Sequence, residues 1–252
     1  MIKIENVETM GWGGAIRGMR NAMNSWDKSD SKFCHYSCIT TDDSLNEEAC
    51  NFMCGSNFCR GFMQIGEADM KLCKNLIKAG SSDRKFMRMI HVQADVTAPL
   101  YWWKEYDTYK VGTTANSCST MHTIHKKEFT IDDFSHEHLS ERSMSFLQNL
   151  IEEINRNRNL YVKGFKGVPG DNDCDVKPYD KTYWWQMIQL LPSSFNQMRT
   201  IDLDYETLFS IYHQRKNHKL TEWRGFCNWI ETLPYMKEFL GLGETNDSER
   251  TD

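Results

Sequence analysis

Between Ile90 and Val96 the side chains alternate strictly, apolar at Ile90, Val92, Ala94 and Val96 and polar at His91, Gln93 and Asp95. A period of two belongs to an extended chain with one face buried and the other wet. Pro99 lacks an amide hydrogen and so ends the run or confines it to an edge. Elsewhere the spacing is helical. Met70, Cys73, Leu76 and Ile77 recur on one face between Glu67 and Ala79, and Gly80 is placed as the stop. Leu147, Leu150, Ile151 and Ile154 mark a second helix, and Tyr183 to Leu191 a short third one stopped by Pro192. Tyr205, Leu208, Ile211 and Tyr212 give another helical face. Leu220, Trp223, Phe226, Cys227 and Ile230 give a last one, with polar Lys216 to Lys219 between the two. The chain therefore reads as α/β in the α+β sense, an antiparallel or mixed sheet flanked by helices.

At 252 residues the sequence fits one domain spanning 1–252. A formal net charge of -5 provides no broad positive field for a phosphate backbone, so polynucleotide binding is not expected, whereas a pocket for one nucleotide is compatible with it. The apolar runs fall well short of the roughly 20 residues of a membrane-spanning helix and no apolar leader is visible, so neither anchor nor export is expected. Nine cysteines, an odd number, point to reduced thiols and a cytoplasmic setting. Five of them (Cys34, Cys38, Cys50, Cys54 and Cys59) crowd with His35 into a polar, irregular segment, 34–64. Their spacings lack the tight Cys-x-x-Cys knuckle of structural zinc sites, and no metal is expected.

Three other stretches read as irregular. Gly11, Gly13, Gly14 and Gly18 with Arg17 and Arg20 suggest a glycine-rich turn, or a cradle for a phosphate. Residues 155–181 read as a long loop of glycines, prolines and charges, and 243–252 as a polar tail.

The segment from Tyr109 to His122 reads YKVGTTANSCSTMH. It resembles the signature of the flavin-dependent thymidylate synthases, Arg-His-Arg-x-x-Ser-x-Asn-Glu-x-Ser-x-Arg-Tyr. Asn116 falls on the Asn, Ser119 on the second Ser, and Thr114 stands for the first. Tyr109, Lys110 and Val111 replace Arg-His-Arg, Ser117 replaces Glu, and Met121 and His122 replace Arg-Tyr, so most of the ionic groups are gone. A second segment about 100 residues on, NHKLTEWR, places His218, Glu222 and Arg224 on the His, Glu and last Arg of the family's C-terminal run. Lys219 and Leu220 stand where that run has Ala-Gln. Gln214 takes the place of an upstream Arg, with Arg215 one position late. Asp202-Leu203-Asp204 stands for an Asn-Leu-Arg step. The resemblance spans Glu67 to Tyr235.

What the resemblance implies is a homotetrameric flavin-dependent thymidylate-synthase-like fold. Such enzymes bind FAD, reduce it with NADPH, and transfer a one-carbon unit from methylenetetrahydrofolate to C5 of a pyrimidine nucleotide. Arg224 would be catalytic, stabilising negative charge on the ring. Asn116, Ser119, Thr114 and Arg224 would bind substrate, and His218, Glu222 and Asn116 would lie at the cofactor. The rival is a family member that has lost catalysis and serves as an oligomeric scaffold for a nucleotide or a protein.

Taken without the family, the same residues leave alternatives open. His218 and Glu222 are spaced i, i+4, which on a helix lets a carboxylate orient an imidazole base; an ion pair or a capping histidine between two helices fits the spacing too. The Ser/Thr-rich stretch around Asn116 is equally a turn with capping hydroxyls. Trp102-Trp103 and Trp184-Trp185 suit core packing or a planar ligand, and Cys118 could be a nucleophile only with a lowered pKa.

Overall fold

A computed structural model of the chain describes residues 2–33, 63–167 and 175–242. The clustered cysteines, the tail 243–252 and part of the 155–181 stretch lie outside the described residues. Among the described residues there are six strands: β1 (Lys3–Met10), β2 (Lys32–Phe33), β3 (Met63–Gln64), β4 (His91–Pro99), β5 (Thr113–Ser117) and β6 (Asn196–Asp204). The helices are α1 (Trp12–Asn21), α2 (Glu67–Ala79), α3 (Leu100–Tyr106), α4 (Thr120–Thr123), α5 (Glu141–Lys163), α6 (Lys181–Leu190), α7 (Tyr205–Arg215), α8 (Thr221–Thr232) and α9 (Met236–Phe239). The main sheet runs β1-β4-β6-β5, and β2 and β3 form a separate antiparallel ribbon. The fold is mixed α/β, an antiparallel sheet flanked by helices, as the sequence predicts.

The alternation that predicts β4 is seen in full. Val92, Ala94, Val96 and Ala98 are buried, and the intervening side chains are half-buried. On that wetter face the Asp202 carboxylate accepts from Gln93 Nε2 at 2.9 Å and pairs with His91 Nδ1 at 2.9 Å, while Thr200 donates to Asp95 at 2.6 Å. Cross-strand polar pairs of this kind are the unit of sheet stabilisation and hold β4 and β6 in register. β6 itself escapes the sequence reading. Its outer half carries Gln197, Met198, Arg199 and Thr200, and only Ile201, Leu203 and Asp204 sink into the interior.

Contacts separate the chain, read from sequence as one domain, into two compact units, each strand of the main sheet contributing to both. The first holds Met1–Glu5, Asp95–Tyr109 and Ala115–Thr200. Its core joins Ile124, Phe129, Phe134, Leu147, Ile151, Ile154 and Met187, with α5 laid against α6. Helix α5 starts on a Ser140 cap and ends at Gly164, whose φ of 67° suits glycine. It runs to Lys163, so the first third of the expected 155–181 loop is helical. The polar residues there are bonded within the fold: Asn155 exchanges two 2.8 Å hydrogen bonds with the Phe129 backbone, and Arg156 pairs with Glu153. A hydropathy pattern has no means of registering such partners.

The second unit holds Asn6–Ala94, Lys110–Thr114 and Ile201–Asp252. Its aromatic centre sets Trp12 edge-on to Tyr205 at 5.1 Å and to Tyr235 at 5.6 Å. The expected glycine-rich turn near the start of the chain is instead strand β1 followed by helix α1. Gly11 has a φ of 91°, and a Cβ there would stand 1.9 Å from the Met89 carbonyl oxygen; one on Gly18 would press on Met89 Sδ at 3.1 Å. These glycines let α1 approach the 3-10 segment Arg84–Met89, which is a packing role. Arg20 is no phosphate ligand either, being buried against Asp69.

Candidate functional site

The signature-like segment occupies β5, an edge strand, and the turn into α4. Thr114, Asn116 and Ser117 are all exposed, and the amide of Cys118 is held by Met198 O at 3.1 Å. Neutral hydroxyl and carboxamide groups are thus displayed along an edge. Ser119 is different: it is the N-cap of α4, and its hydroxyl accepts from the His122 amide at 3.4 Å. Val111, at a position where the signature has Arg, is 87 % exposed, and Met121 is 52 % exposed.

Beside this segment the first unit contains a cleft of about 380 Å³, bounded by Cys118, Thr120 and Thr123 on one side and by Asn196, Gln197 and Met198 on the other. Ile124, Phe129 and Phe195 give it an apolar floor, and Lys126, Lys127 and Asp133 stand at it as well. Gln197 ties the walls together, since its Nε2 donates to Cys118 O at 3.0 Å and to Thr120 Oγ1 at 3.2 Å. None of the lining residues beyond Cys118 was singled out in the sequence. The signal available there was the Lys126-Lys127 pair a few residues past the signature.

In the second unit, His218 and Glu222 do not share a helix. Helix α8 begins at Thr221 with Leu220 as its cap, so His218 sits in the connection from α7. Its amide closes the end of α7 on Arg215 O at 2.9 Å, and its Nδ1 accepts from the Leu220 amide at 3.2 Å. This is the capping histidine among the alternatives, and it commits Nδ1 as an acceptor. Glu222 is buried in the first turn of α8, where a carboxylate favours the positive end of the helix dipole. Arg224 is exposed. Its Nη1 donates to His218 O at 2.7 Å and Lys219 O at 3.0 Å, which fixes the guanidinium at the mouth of the connection. Arg215, the late cation, lies over the Trp223 ring at 4.8 Å. Asp204 caps α7 by accepting from the Thr207 amide at 2.7 Å, a task an Arg at that position could not do.

The tryptophan pairs separate into two roles. Trp102 and Trp103 are core residues at 0 % and 1 % exposure, whereas Trp185 is half exposed and Trp184 donates to Met121 O at 3.3 Å. Burial pushes the Cys73 and Cys227 thiols up to about 12, which makes both inert near neutrality. Cys118 is the exposed thiol among the described cysteines. Among the described residues no group of three metal-ligating side chains converges, and no helix is long and apolar enough to cross a membrane.

The fold is the one seen in the flavin-dependent thymidylate synthases, and the likeness to them is a distant structural one. Two of the solved structures that it resembles are from Helicobacter pylori. Thymidylate synthase X with FAD and dUMP superposes with a TM-score of 0.56 at 12% identity, covering 95% of this chain and 97% of that one. A flavin-dependent thymidylate synthase ThyX complexed with FAD and dUMP gives 0.55 at 11%, covering 94% and 97%. No protein-family model and no curated protein matches the sequence.

Proposed function

We propose that this protein is a thymidylate-synthase-like enzyme that binds a pyrimidine nucleotide and FAD and transfers a one-carbon unit to C5 of the ring. The observation that carries the reading is the exposed row Thr114–Asn116–Ser117 on an edge strand, within a chain whose fold follows ThyX over almost its whole length. The donor set there, hydroxyls and a carboxamide, suits the edge of a base or of an isoalloxazine ring. FAD reduced by NADPH would supply the hydride, and methylenetetrahydrofolate the carbon. Asn116 and Thr114 would hold the ring edges by neutral hydrogen bonds. Arg224, already oriented by two carbonyls, would stabilise charge developing on the pyrimidine. Ser119 would bind the substrate, and His218 and Glu222 would lie at the cofactor. A homotetramer in a cytoplasmic setting belongs to the same proposal.

The catalytically lost scaffold is favoured by one observation: Ser119 Oγ and His218 Nδ1 already accept from backbone amides in a helix cap and a turn. The visible spectrum of the freshly purified protein decides between the two. Heat-released FAD identified by chromatography supports the enzyme, while a colourless protein that takes up no added FAD leaves the scaffold.

Substituting Arg224→Ala removes a charged hydrogen-bond donor worth roughly 1.5–3 kcal/mol, so dUMP affinity is expected to fall about tenfold or more. Because the side chain is exposed, the unfolding midpoint should move little. Calorimetry showing unchanged affinity would remove Arg224 from the site.

A further inference from the structure

The geometry points to the cleft of the first unit as a subsite for a nucleoside monophosphate, with Lys126 as the partner of its phosphate; this rests on the nucleotide-binding reading above. A volume of about 380 Å³ lies within the range of small-ligand pockets. Its floor is apolar and stiff. Phe129 is buried, and its ring meets Phe195 at 5.9 Å and Phe134 at 6.1 Å, so the wall that a base would lie against is braced from behind.

The polar groups are arranged asymmetrically about that floor. Asn196 Oδ1 accepts from Ser135 Oγ at 2.8 Å, which turns the carboxamide so that Nδ2 remains a donor for a ring carbonyl. Lys127 is committed to Asp133 in an ion pair. Lys126 is exposed, and its ammonium has neither an ion pair nor a hydrogen bond among the described residues. The cleft therefore carries one uncompensated positive charge, five residues past Met121, where the signature's last cation is missing. A lysine binds phosphate as a mobile point charge, without the paired donors an Arg at Met121 would offer. The site so defined accepts a planar base on the phenylalanines and an anion at the rim, and it favours the phosphorylated form over the nucleoside.

The test is calorimetry on the intact protein and its Lys126→Ala and Lys126→Arg variants, with dUMP, deoxyuridine, AMP and FMN as probes. In Lys126→Ala, monophosphate affinity is expected to fall about tenfold, the scale of one charge-assisted contact. Deoxyuridine affinity should be unchanged, and Lys126→Arg should recover most of the loss. The assignment of Lys126 is overturned if wild type and Lys126→Ala bind dUMP equally, an outcome that leaves the pyrimidine reading standing. Binding of AMP or FMN but not dUMP, lost in Lys126→Ala, upholds the subsite and removes the pyrimidine reading. Failure of every monophosphate to bind wild type overturns both.

Discussion

Replacing Asp69 with alanine is expected to lower the free energy of unfolding by about 3–5 kcal/mol, the usual consequence of removing one partner of a buried ion pair. Asp69 is fully buried in the first turn of α2, and Arg20 opposite it is 5 % exposed. One carboxylate oxygen accepts from Arg20 Nε at 2.7 Å and lies 2.7 Å from Nη2 in the ion pair. The other accepts from the Ser29 and Ser31 hydroxyls at 2.6 and 2.5 Å and from the Ser31 amide at 3.1 Å. Alanine would leave a guanidinium in the interior without a counter-charge and release the 29–31 segment from α2. Asp69→Asn keeps the shape and loses the charge, and should retain only part of the stability. Urea unfolding at neutral pH reads the difference; a loss under about 1 kcal/mol would mean that Arg20 finds water or another partner.

The same network fixes the sign of a pH dependence. Burial pushes the Asp69 pKa up, but the hydrogen bonds from Ser29, Ser31 and Arg20 outweigh it and hold the folded-state value below the ordinary 3.8. The contribution to stability is thus fully present above the ordinary value and is lost as pH falls below it through the lowered folded value. Wild type should lose stability over that acid window more steeply than Asp69→Asn. Parallel curves would show that the carboxylate is no more ionised in the folded state than in the unfolded one.

The elements legible in the sequence are those whose hydrophobic period is undisturbed. β4, α2, α7 and α8 have buried positions at spacings of two or of three and four, so their type and approximate limits follow directly. β6 and the second half of α5 were not legible, because their polar side chains are satisfied by residues distant in sequence: Asp202 by His91 and Gln93, Asn155 by the Phe129 backbone. The glycines of α1 misled for a related reason, since a close approach to Met89 and a flexible turn look alike until the neighbour is known. At the candidate site the segment Thr114–Ser119 was recognisable, whereas the cleft beside it was not. Its walls come from β6 and from the residues after α4, and no local pattern announces that Phe129 and Phe195 will meet.

Trp103 is bonded to the cleft wall at Gln197, and Trp103→Ala is expected to cost about 3–5 kcal/mol, as for other fully buried aromatics. The indole is 1 % exposed and lies edge-on to Trp102 at 4.8 Å and to Tyr106 at 5.2 Å. Its Nε1 donates to Gln197 O at 2.9 Å, and the Arg199 guanidinium stands 4.3 Å above its ring. Arg199 in turn donates to Gln197 Oε1 at 3.0 Å and to Asp107 at 2.7 Å, so the orientation of the Gln197 side chain depends on the indole beneath Arg199. Trp103→Phe refills most of the volume, loses the hydrogen bond and weakens the cation-π contact, and should cost about 1–2 kcal/mol. Comparing the two by urea unfolding separates packing from polar anchoring. Near-equal losses would place the main role of Trp103 in its bond to Gln197 and its contact with Arg199, and would make the cleft wall the part of the fold most sensitive to this residue. A large gap, with Phe close to wild type, would place it in the volume that the indole fills.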